Sequence, residues 1–308
     1  MKEKVIIDTD IGDDIDDALA IAFALQAQNL DIIGITTVFR NTRARARIVR
    51  RMLSLANKQD IPVTVGERMP LAFRPIDTLF KQVNPDELPG QYADDMDDEL
   101  LLDQRTAVEF LLETLTESTE LISIIAIGPL TNIGRLLRDY PEVKHKINKI
   151  VIMGGAYNMN MSEYNILCDP EAAKIVFESG VELVGVGLDV TGNCQLSEEN
   201  VLSIKQQGSP MCDFLTVLIE RFRSYSNHLP YLHDAIAVMV AFDESVVKIE
   251  NKRIAIETEG QYTRGMTFNI SNSRWWEDKN ADCNIRVCVE IDKEKFMRRF
   301  LDDILSYK

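Results

Sequence analysis

The chain has 308 residues, which is enough for one large α/β domain or two smaller ones. Its 34 basic and 49 acidic side chains give a formal net charge of -15, which argues against nucleic acid or an anionic membrane surface as a partner. No apolar run reaches the length of a membrane span, and no signal-peptide core begins the chain. The five cysteines are scattered without a C-x-x-C pair, which favours a reducing compartment, the cytoplasm.

Short β-rich runs alternate with helical stretches through the first part of the chain. The predicted strands, in order, are 4–8, 31–38, 61–66, 121–128, 149–155 and 181–190. The predicted helices are 16–28, 41–57, 106–117, 130–140 and 170–180. Strands joined by crossover helices predict an α/β fold with a mostly parallel, doubly wound central sheet and helices on both faces.

The second part of the chain has a different pattern. It is predicted to be helical from about residue 190 through 242 and strand-rich near 252–290, with a last helix over 293–306. No Gly-, Ser- or Pro-rich linker separates the two parts, so residues 1–308 are predicted to form one domain. Residues 67–100 lack clear periodicity over a long stretch, which is typical of an active-site cover or of disorder.

One segment is locally basic in an otherwise acidic chain. It reads RNTRARARIVRR and runs from Arg40 to Arg51. Its arginines alternate with Ala, Ile and Val at helical spacing, which predicts a solvated helix face.

Six aspartates lie between residues 8 and 17, at the junction of the first strand and the first helix. The free N–H groups of a first helical turn are enough to explain Asp16 or Asp17. Asp8 and Asp10 instead follow the apolar strand, where ligands of open α/β sheets collect. Like charges held together raise one another's pKa or require a cation, so these two residues favour a site for a hard divalent ion with oxygen ligands.

A similar pattern comes later in the chain, where His233 and Asp234 directly precede another apolar helical run. Each has a plain structural interpretation, as a capping or core histidine and as an N-cap aspartate. Taken with the first acidic cluster, they suggest a distant acid that completes the ligand set of the ion and a titratable group beside it.

Six segments in a fixed order give the chain a resemblance to the nucleoside hydrolase family, the inosine-uridine preferring N-ribohydrolases. They are DTDIGDDIDDALAI, GITTVFRN, AIGPLTNIGRLL, VIMGGAY, EYNILCDPEAAKIVFESG and HDAIAV. The resemblance runs from residue 5 to near the end of the chain. It implies an enzyme that binds one calcium ion and cleaves the N-glycosidic bond of ribonucleosides to ribose and a free base, and that assembles as a homodimer or homotetramer.

The resemblance also implies a role for individual residues. The calcium ligands would be Asp10, Asp17, Asp234 and the backbone carbonyl of Ile127. Asp16 would be the general base for the attacking water, and Asp8 would support the ligands from behind. The residues that would hold the ribose hydroxyls are Asn41, Glu163 and Asn165, with Asn158 or Asn160 assisting.

These residue types suit the chemistry that the resemblance implies. Glycosidic cleavage passes through an oxocarbenium-like state with positive charge on the sugar, which an acid-lined pocket stabilises. Asp16 then needs only to accept a proton from water. Neutral amides such as those of Asn41 and Asn165 suit hydroxyl groups, which both donate and accept hydrogen bonds, although each asparagine taken alone is equally typical of a turn.

The chain departs from the family pattern in its acidic segment. From Gly12 to Asp17 this segment is two residues longer than the commonest family form. Because an apolar run follows Asp16 and Asp17 directly, these two align with the family's aspartate pair. An ungapped alignment would select Asp14 instead, so Asp14 is an alternative.

Two further departures concern the leaving base. Residues 67–100 contain no histidine, so protonation of the leaving group falls to His233 or to a group that the sequence does not reveal. Trp275 and Trp276 could stack on a base, although paired tryptophans are more often core or interface anchors.

Two alternative functions also follow from the sequence. DTDIG after an apolar strand resembles the Asp-x-Asp signature of haloacid dehalogenase-like phosphatases, in which the first aspartate is a nucleophile. That interpretation predicts a magnesium-dependent phosphohydrolase with Asp8 as the nucleophile. The other alternative is a riboside-binding protein that kept the metal and lost turnover.

Overall fold

The computed structural model of the protein describes residues 2–72, 84–93, 96, 102–271 and 283–308. The strands are β1 (Glu3–Thr9), β2 (Leu30–Thr37), β3 (Val63–Val65), β4 (Ile122–Ala126), β5 (Ile147–Met153), β6 (Leu183–Val186), β7 (Val247–Lys252), β8 (Ile254–Ile256), β9 (Thr267–Asn269) and β10 (Ile285–Ile291). The α-helices are α1 (Asp16–Gln26), α2 (Thr42–Leu55), α3 (Ala107–Glu117), α4 (Thr131–Asp139), α5 (Tyr164–Cys168), α6 (Pro170–Phe177), α7 (Leu188–Thr191), α8 (Glu198–Gln207), α9 (Pro210–Tyr225), α10 (His233–Phe242) and α11 (Lys293–Ile304). Two 3-10 helices, Pro141–Lys146 and Glu244–Val246, precede β5 and β7.

Eight of these strands form one sheet in the order β3-β2-β1-β4-β5-β6-β10-β7. All neighbouring pairs are parallel except β10 and β7, which are antiparallel. Strands β8 and β9 form a separate antiparallel pair. The predicted α/β fold with a mostly parallel central sheet is therefore confirmed.

The strand order reverses at the centre of the sheet. From β1 the chain proceeds outward through β2 and β3 and then returns to place β4 on the other side of β1. A crevice therefore opens at the carboxyl ends of β1 and β4, which is where open α/β sheets bind ligands.

Helices cover both faces of the sheet and bury its side chains. On one face α1 and α10 pack together, and α1 is buried from Asp16 to Leu25. On the other face α4 packs against α6. A Cβ atom on Gly134 would lie 2.7 Å from the Cβ of Ala172, so glycine is required for this close approach. Helices that are apolar around most of their circumference are typical of such a buried layer.

The sequence prediction was wrong in one strand. Residues 181–190 were predicted as a single strand, but β6 ends at Val186 and α7 begins at Leu188. The chain turns at Gly187, where a Cβ atom would lie 2.7 Å from the carbonyl oxygen of Gly155. A short apolar run fits a strand and a helical turn equally well, so only this close backbone contact distinguishes them.

The basic segment was also predicted incorrectly in part. Arg43 and Arg51 are exposed on α2, as a solvated face requires. Arg45 and Arg50 are buried instead, at 0% and 9% exposure. Their guanidinium groups bind backbone carbonyl oxygens, an arrangement that helical spacing alone does not indicate.

Two smaller findings bear on the setting of the protein. In the part of the chain that the structure describes, no helix is both long and apolar enough to cross a membrane. All five cysteines are free, and Cys283 is the exposed one.

Candidate active site

A cavity of about 750 Å³ lies at the carboxyl ends of the central strands. Its walls carry seven acidic side chains, namely Asp10, Asp13, Asp14, Asp16, Asp17, Glu163 and Asp234. The first five belong to the β1–α1 connection and the start of α1, and Asp234 belongs to the first turn of α10. Residues that are far apart in sequence therefore meet because α1 and α10 pack side by side.

Three of these acids form a compact group. Carboxylate oxygens of Asp16, Asp17 and Asp234 lie within 4.8 Å of one another, and all three residues are at least 94% buried by accessible area, being 6%, 4% and 2% exposed. Burial, followed by repulsion from the neighbouring carboxylates, raises the pKa of each well above its usual value. A buried group of like charges needs protons or a cation, and oxygen-only ligands fit a hard divalent ion.

Asp10 lies beside this group on the cavity wall. Burial raises the pKa of its carboxyl to about 7, and the charge of Arg45 acts in the opposite direction. The end of β4 approaches it closely, since a Cβ atom on Gly128 would lie 2.8 Å from Asp10 Oδ1. Only glycine at residue 128 allows this contact.

Ile127, the residue before Gly128, also lines the cavity. Its N–H donates to the Asp8 carbonyl oxygen at 2.8 Å. Its own carbonyl oxygen lies 3.4 Å from Nδ2 of Asn165. Ile127 therefore joins β1 to the cavity wall through backbone groups, and its role as a carbonyl ligand stays a prediction.

Asp8 lies behind the cavity wall and is fully buried. Its Oδ1 accepts hydrogen bonds from Thr36 and from Asn132 Nδ2, the latter at 2.7 Å. Its Oδ2 has no hydrogen-bond partner, and burial raises the pKa of the carboxyl to about 7. Asp8 thus does not line the cavity, and its role in supporting the ligands stays a prediction.

Asp14 lines the cavity but is exposed. It lies outside the compact group formed by Asp16, Asp17 and Asp234. Because α1 begins at Asp16, the two extra residues of the acidic segment lie before the helix, and the choice of Asp16 over Asp14 stays a prediction.

Glu163 and Asn165 lie on the same cavity wall. Glu163 caps α5, and its carboxylate accepts from the N–H groups of Asn165 at 2.8 Å, Gly155 at 3.0 Å and Ile166 at 3.1 Å. Nδ2 of Asn165 donates to the Met153 carbonyl oxygen at 3.1 Å. These hydrogen bonds fix both side chains before any ligand binds.

Three asparagines that were predicted to bind ribose lie away from the cavity wall. Oδ1 of Asn41 caps α2 by accepting from the Ala44 N–H at 3.1 Å, and its Nδ2 donates to the Asp86 carbonyl oxygen at 3.0 Å. Asn158 and Asn160 are exposed. An asparagine suits a helix cap as well as a sugar hydroxyl, so the residue type alone does not separate these roles.

His233 lines the cavity at the start of α10. Its Nδ1 lies 2.7 Å from the hydroxyl of Thr191, and its ring stacks on Tyr231 with centroids 5.2 Å apart. Burial lowers the pKa of the imidazole to about 4, so His233 is neutral at pH 7. The neutral imidazole can accept or donate one hydrogen bond to a ligand. It does not carry the extra proton of an imidazolium at pH 7.

A second wall of the cavity was missed by the sequence analysis. It comes from the end of α9 and the segment after it, and it consists of Phe222, Tyr225, Ser226, Asn227 and His228. His228 is exposed, with Nδ1 3.0 Å from the Leu229 carbonyl oxygen. The aromatic and histidine content of FRSYSNHLPYLH just before Asp234 is the sequence signal that could have indicated this wall.

Part of the segment 67–100 contacts the acidic loop. Gln91 donates its N–H to the Gly12 carbonyl oxygen at 2.9 Å and its Nε2 to the Asp14 carbonyl oxygen at 2.5 Å. Residues 73–83, 94, 95 and 97–100 of the predicted cover, and the paired tryptophans Trp275 and Trp276, lie outside the described residues.

Comparisons with known proteins agree with this geometry. The family described as inosine-uridine preferring nucleoside hydrolase matches residues 5–298. Pyrimidine-specific ribonucleoside hydrolases RihA of Shigella boydii serotype 4 and of Escherichia coli O9:H4 are each 33% identical over 323 residues, with 100% of both chains covered.

Solved structures of similar fold extend the comparison. A plant nucleoside hydrolase, PpNRh1, superposes with a TM-score of 0.84 at 26% identity, covering 99% of this chain and 100% of that one. A purine-preferring ribonucleoside hydrolase from Gardnerella vaginalis has a TM-score of 0.83 at 27% identity, covering 99% of each chain.

The family matches almost the whole length of the chain, and the acid-lined cavity lies where the strand order of the sheet reverses. Together they define an N-glycosidase that acts on ribonucleosides. The chain belongs to the inosine-uridine preferring nucleoside hydrolase family.

The buried acids predict an unusual pH dependence for the metal-free protein. Because the folded-state pKa values of Asp8 and Asp10 are raised from 3.8 to about 7, the native state binds more protons than the unfolded chain between these values. The free energy of unfolding in EDTA should therefore fall as pH rises from about 4.5 to about 7.5, by at least about 1.4 kcal/mol, the value of one unit of pKa shift.

Urea denaturation across this pH range measures the effect. Asp8→Asn removes one of the titrating groups and should make the fall shallower. A stability in EDTA that stays level or increases with pH in the wild-type protein would contradict the prediction.

Proposed function

We propose that residues 1–308 form one domain that hydrolyses ribonucleosides to ribose and a free base with the help of a bound calcium ion. The observation that carries this proposal is the convergence of Asp16, Asp17 and Asp234 within 4.8 Å at the floor of a cavity. Their burial without cationic side chains inside the group favours a site built for an ion.

The proposed calcium ligands are Asp10, Asp17, Asp234 and the carbonyl oxygen of Ile127. All four residues line the cavity and offer oxygen atoms alone, which fits calcium because it takes six to eight oxygen ligands in flexible geometry. When bound, such an ion neutralises the carboxylates and lowers the pKa of water.

Asp16 is the proposed general base. It belongs to the compact acid group but is left over when Asp10, Asp17 and Asp234 are assigned to the ion, so its carboxylate is available to accept a proton from water. The C1′–N bond breaks with its electron pair moving to the nucleobase, which takes up a proton, and the oxygen of the deprotonated water forms the new bond to C1′. The surrounding carboxylates stabilise the positive charge that develops on the sugar.

Glu163 and Asn165 are the proposed ribose contacts on the cavity wall. Their hydrogen bonds to backbone groups fix the side chains in advance, which lowers the entropic cost of binding a sugar. Asn41, Asn158 and Asn160 would reach the sugar only if the segments that carry them moved toward the cavity, and their role in binding ribose stays a prediction.

The geometry disfavours the phosphohydrolase. In that interpretation Asp8 would be the nucleophile, but Asp8 is fully buried and does not line the cavity. The relatives disfavour a binding protein without turnover, because they are named as hydrolases.

The proposed setting is a reducing compartment, in which free thiols persist. Five free cysteines support a reducing compartment such as the cytoplasm. By resemblance to its family the chain forms a homodimer or homotetramer, which light scattering measures directly.

A nucleoside panel tests the function. Inosine, guanosine, adenosine, uridine and cytidine are incubated with the full chain, and free base is measured by chromatography with calcium, with EGTA, and with EGTA followed by excess calcium. We expect release of at least one base, its loss in EGTA, and its recovery with calcium. Phosphate release from sugar phosphates without base release would support the phosphohydrolase instead, and full activity in EGTA would exclude the ion from the reaction.

Asp16→Asn should keep nucleoside binding and lower kcat by about 10²–10⁴-fold, because the variant loses the proton acceptor while it keeps a side chain of the same shape. Binding is measured by calorimetry and kcat by base release. Asp14→Asn is the matched control, since Asp14 lies in the same segment but outside the compact group. If Asp14→Asn lost turnover and Asp16→Asn did not, the assignment of the base would be reversed.

His233 is the proposed hydrogen-bond donor to the leaving base, and substrates with different leaving groups test this role. His233→Gln should lower kcat/KM for nucleosides by about 10²-fold or more, but should change kcat/KM for p-nitrophenyl riboside by much less, because nitrophenolate leaves without protonation. His145→Gln, in the 3-10 helix Pro141–Lys146, is the control.

The same comparison with His228→Gln separates the two histidines of the cavity. If the loss specific to nucleosides occurred in His228→Gln and not in His233→Gln, the exposed imidazole would be the leaving-group donor and the role given to His233 would be wrong.

A further inference from the structure

Arg45 is the largest fully buried side chain of the described residues, although it carries a permanent charge. It lies in the first turn of α2, next to the cavity but not among the residues that line it. Arginine is rarely buried in this way unless its donors are paired. Its hydrogen bonds therefore indicate what it does.

The guanidinium group donates hydrogen bonds to four acceptors. Nε donates to the Phe39 carbonyl oxygen at 2.8 Å, and Nη1 donates to the carbonyl oxygens of Ile11, at 2.8 Å, and of Asp10. Nη2 binds the carboxylate of Asp13 at 2.8 Å. Only the planar fork of an arginine can reach acceptors in these several directions at once.

Three of the four acceptors belong to the β1–α1 connection, which carries Asp10 and leads directly into Asp16. Two of these three are the carbonyl groups of Asp10 and Ile11, which lie outside regular secondary structure and would lose this donor without the guanidinium. The conformation of the acidic loop is thus tied to one side chain from a different loop–helix unit.

The fourth acceptor belongs to the β2–α2 connection. Phe39 and Arg40 there have φ values of 69° and 59°, a left-handed conformation that is uncommon for bulky residues. Phe39 is held on both sides, because its N–H donates to the Glu67 carbonyl oxygen at 2.7 Å and its own carbonyl oxygen accepts from Arg45. Arg45 therefore locks two connections together beside the acid group.

We propose that Arg45 is a positioning residue for the ion site: it holds the backbone of residues 10–13 in the conformation that brings Asp10 to the group formed by Asp16, Asp17 and Asp234. Its charge also offsets part of the repulsion among these acids, without occupying the space where an ion would bind. The inference rests on the proposed function in taking the acid group to be a calcium site.

The alternative is that Arg45 is an ordinary buried arginine that stabilises the fold. Arg50 provides a matched control, because it lies on the same helix, is 9% exposed, and donates through Nη1 to the carbonyl oxygens of Gln59 at 2.9 Å and Ile61 at 3.1 Å. Arg50 does not line the cavity and has no contact with the acidic loop in these hydrogen bonds.

The experiment compares Arg45→Gln, Arg45→Lys and Arg50→Gln in the full chain. Calcium affinity is measured by calorimetry, thermal stability in EDTA by circular dichroism, and hydrogen exchange of the metal-free protein over residues 9–15. Arg45→Lys keeps the positive charge but not the planar set of N–H donors of the guanidinium group. It also serves as the milder variant if Arg45→Gln does not fold.

We expect both Arg45 variants to weaken calcium binding, Arg45→Gln by about 10-fold or more and Arg45→Lys by a smaller factor. Hydrogen exchange over residues 9–15 of the metal-free protein should be faster in both Arg45 variants than in the wild type. Arg50→Gln should lower the melting temperature by about as much as Arg45→Gln does. Its calcium affinity should stay within about twofold of that of the wild type.

The inference is overturned if calcium affinity and exchange over residues 9–15 are the same in the Arg45 variants as in wild type, or if Arg50→Gln reproduces their loss. If the wild-type chain bound no calcium, the proposed cofactor would be wrong. Hydrogen exchange in the metal-free protein would still decide whether Arg45 holds the loop.

Discussion

The repulsion among carboxylates at the floor of the cavity is the constraint around which this structure is arranged. Asp16, Asp17 and Asp234 are almost completely buried and lie within 4.8 Å of one another. Removing such charges from water costs several kcal/mol per ion unless they are protonated or paired. A fold that keeps them together gives up stability in exchange for a preorganised negative site, and this is what stabilising positive charge on a sugar requires.

The surrounding structure holds the acids in place by backbone geometry more than by opposite charge. The carboxyl ends of β1 and β4 meet at the reversal of strand order, and Gly128 lets the end of β4 approach Asp10. Helices α1 and α10 begin at the cavity and pack together through apolar faces. Arg45 is the exception, a buried cation that binds the acidic loop mainly through carbonyl oxygens. Rigid elements of this kind position a site more accurately than loops do.

The cavity has two chemically distinct sides. The floor and one wall carry the acids and the fixed amide of Asn165, which suit an ion and sugar hydroxyls. The other wall, from Phe222 to His228, is aromatic and carries an exposed imidazole, which suits a flat base. Relatives of this chain include enzymes named as pyrimidine-specific and as purine-preferring, so the family's fold accommodates both kinds of base.

The sequence by itself determined the α/β class and most of the strands and helices from β1 to α6, and it singled out the acids at residues 10, 16, 17 and 234, because hydrophobic periodicity and crowded like charges are local signals. It did not determine that Arg45 is buried, that Asn41 caps a helix, that β6 ends at Val186, or that Phe222 to His228 face the acids. Each of these depends on which distant groups come within hydrogen-bonding or van der Waals distance. Only the packed chain brings a carbonyl of residue 11 to an arginine at 45, and only packing decides whether an asparagine meets a backbone N–H or an open cavity.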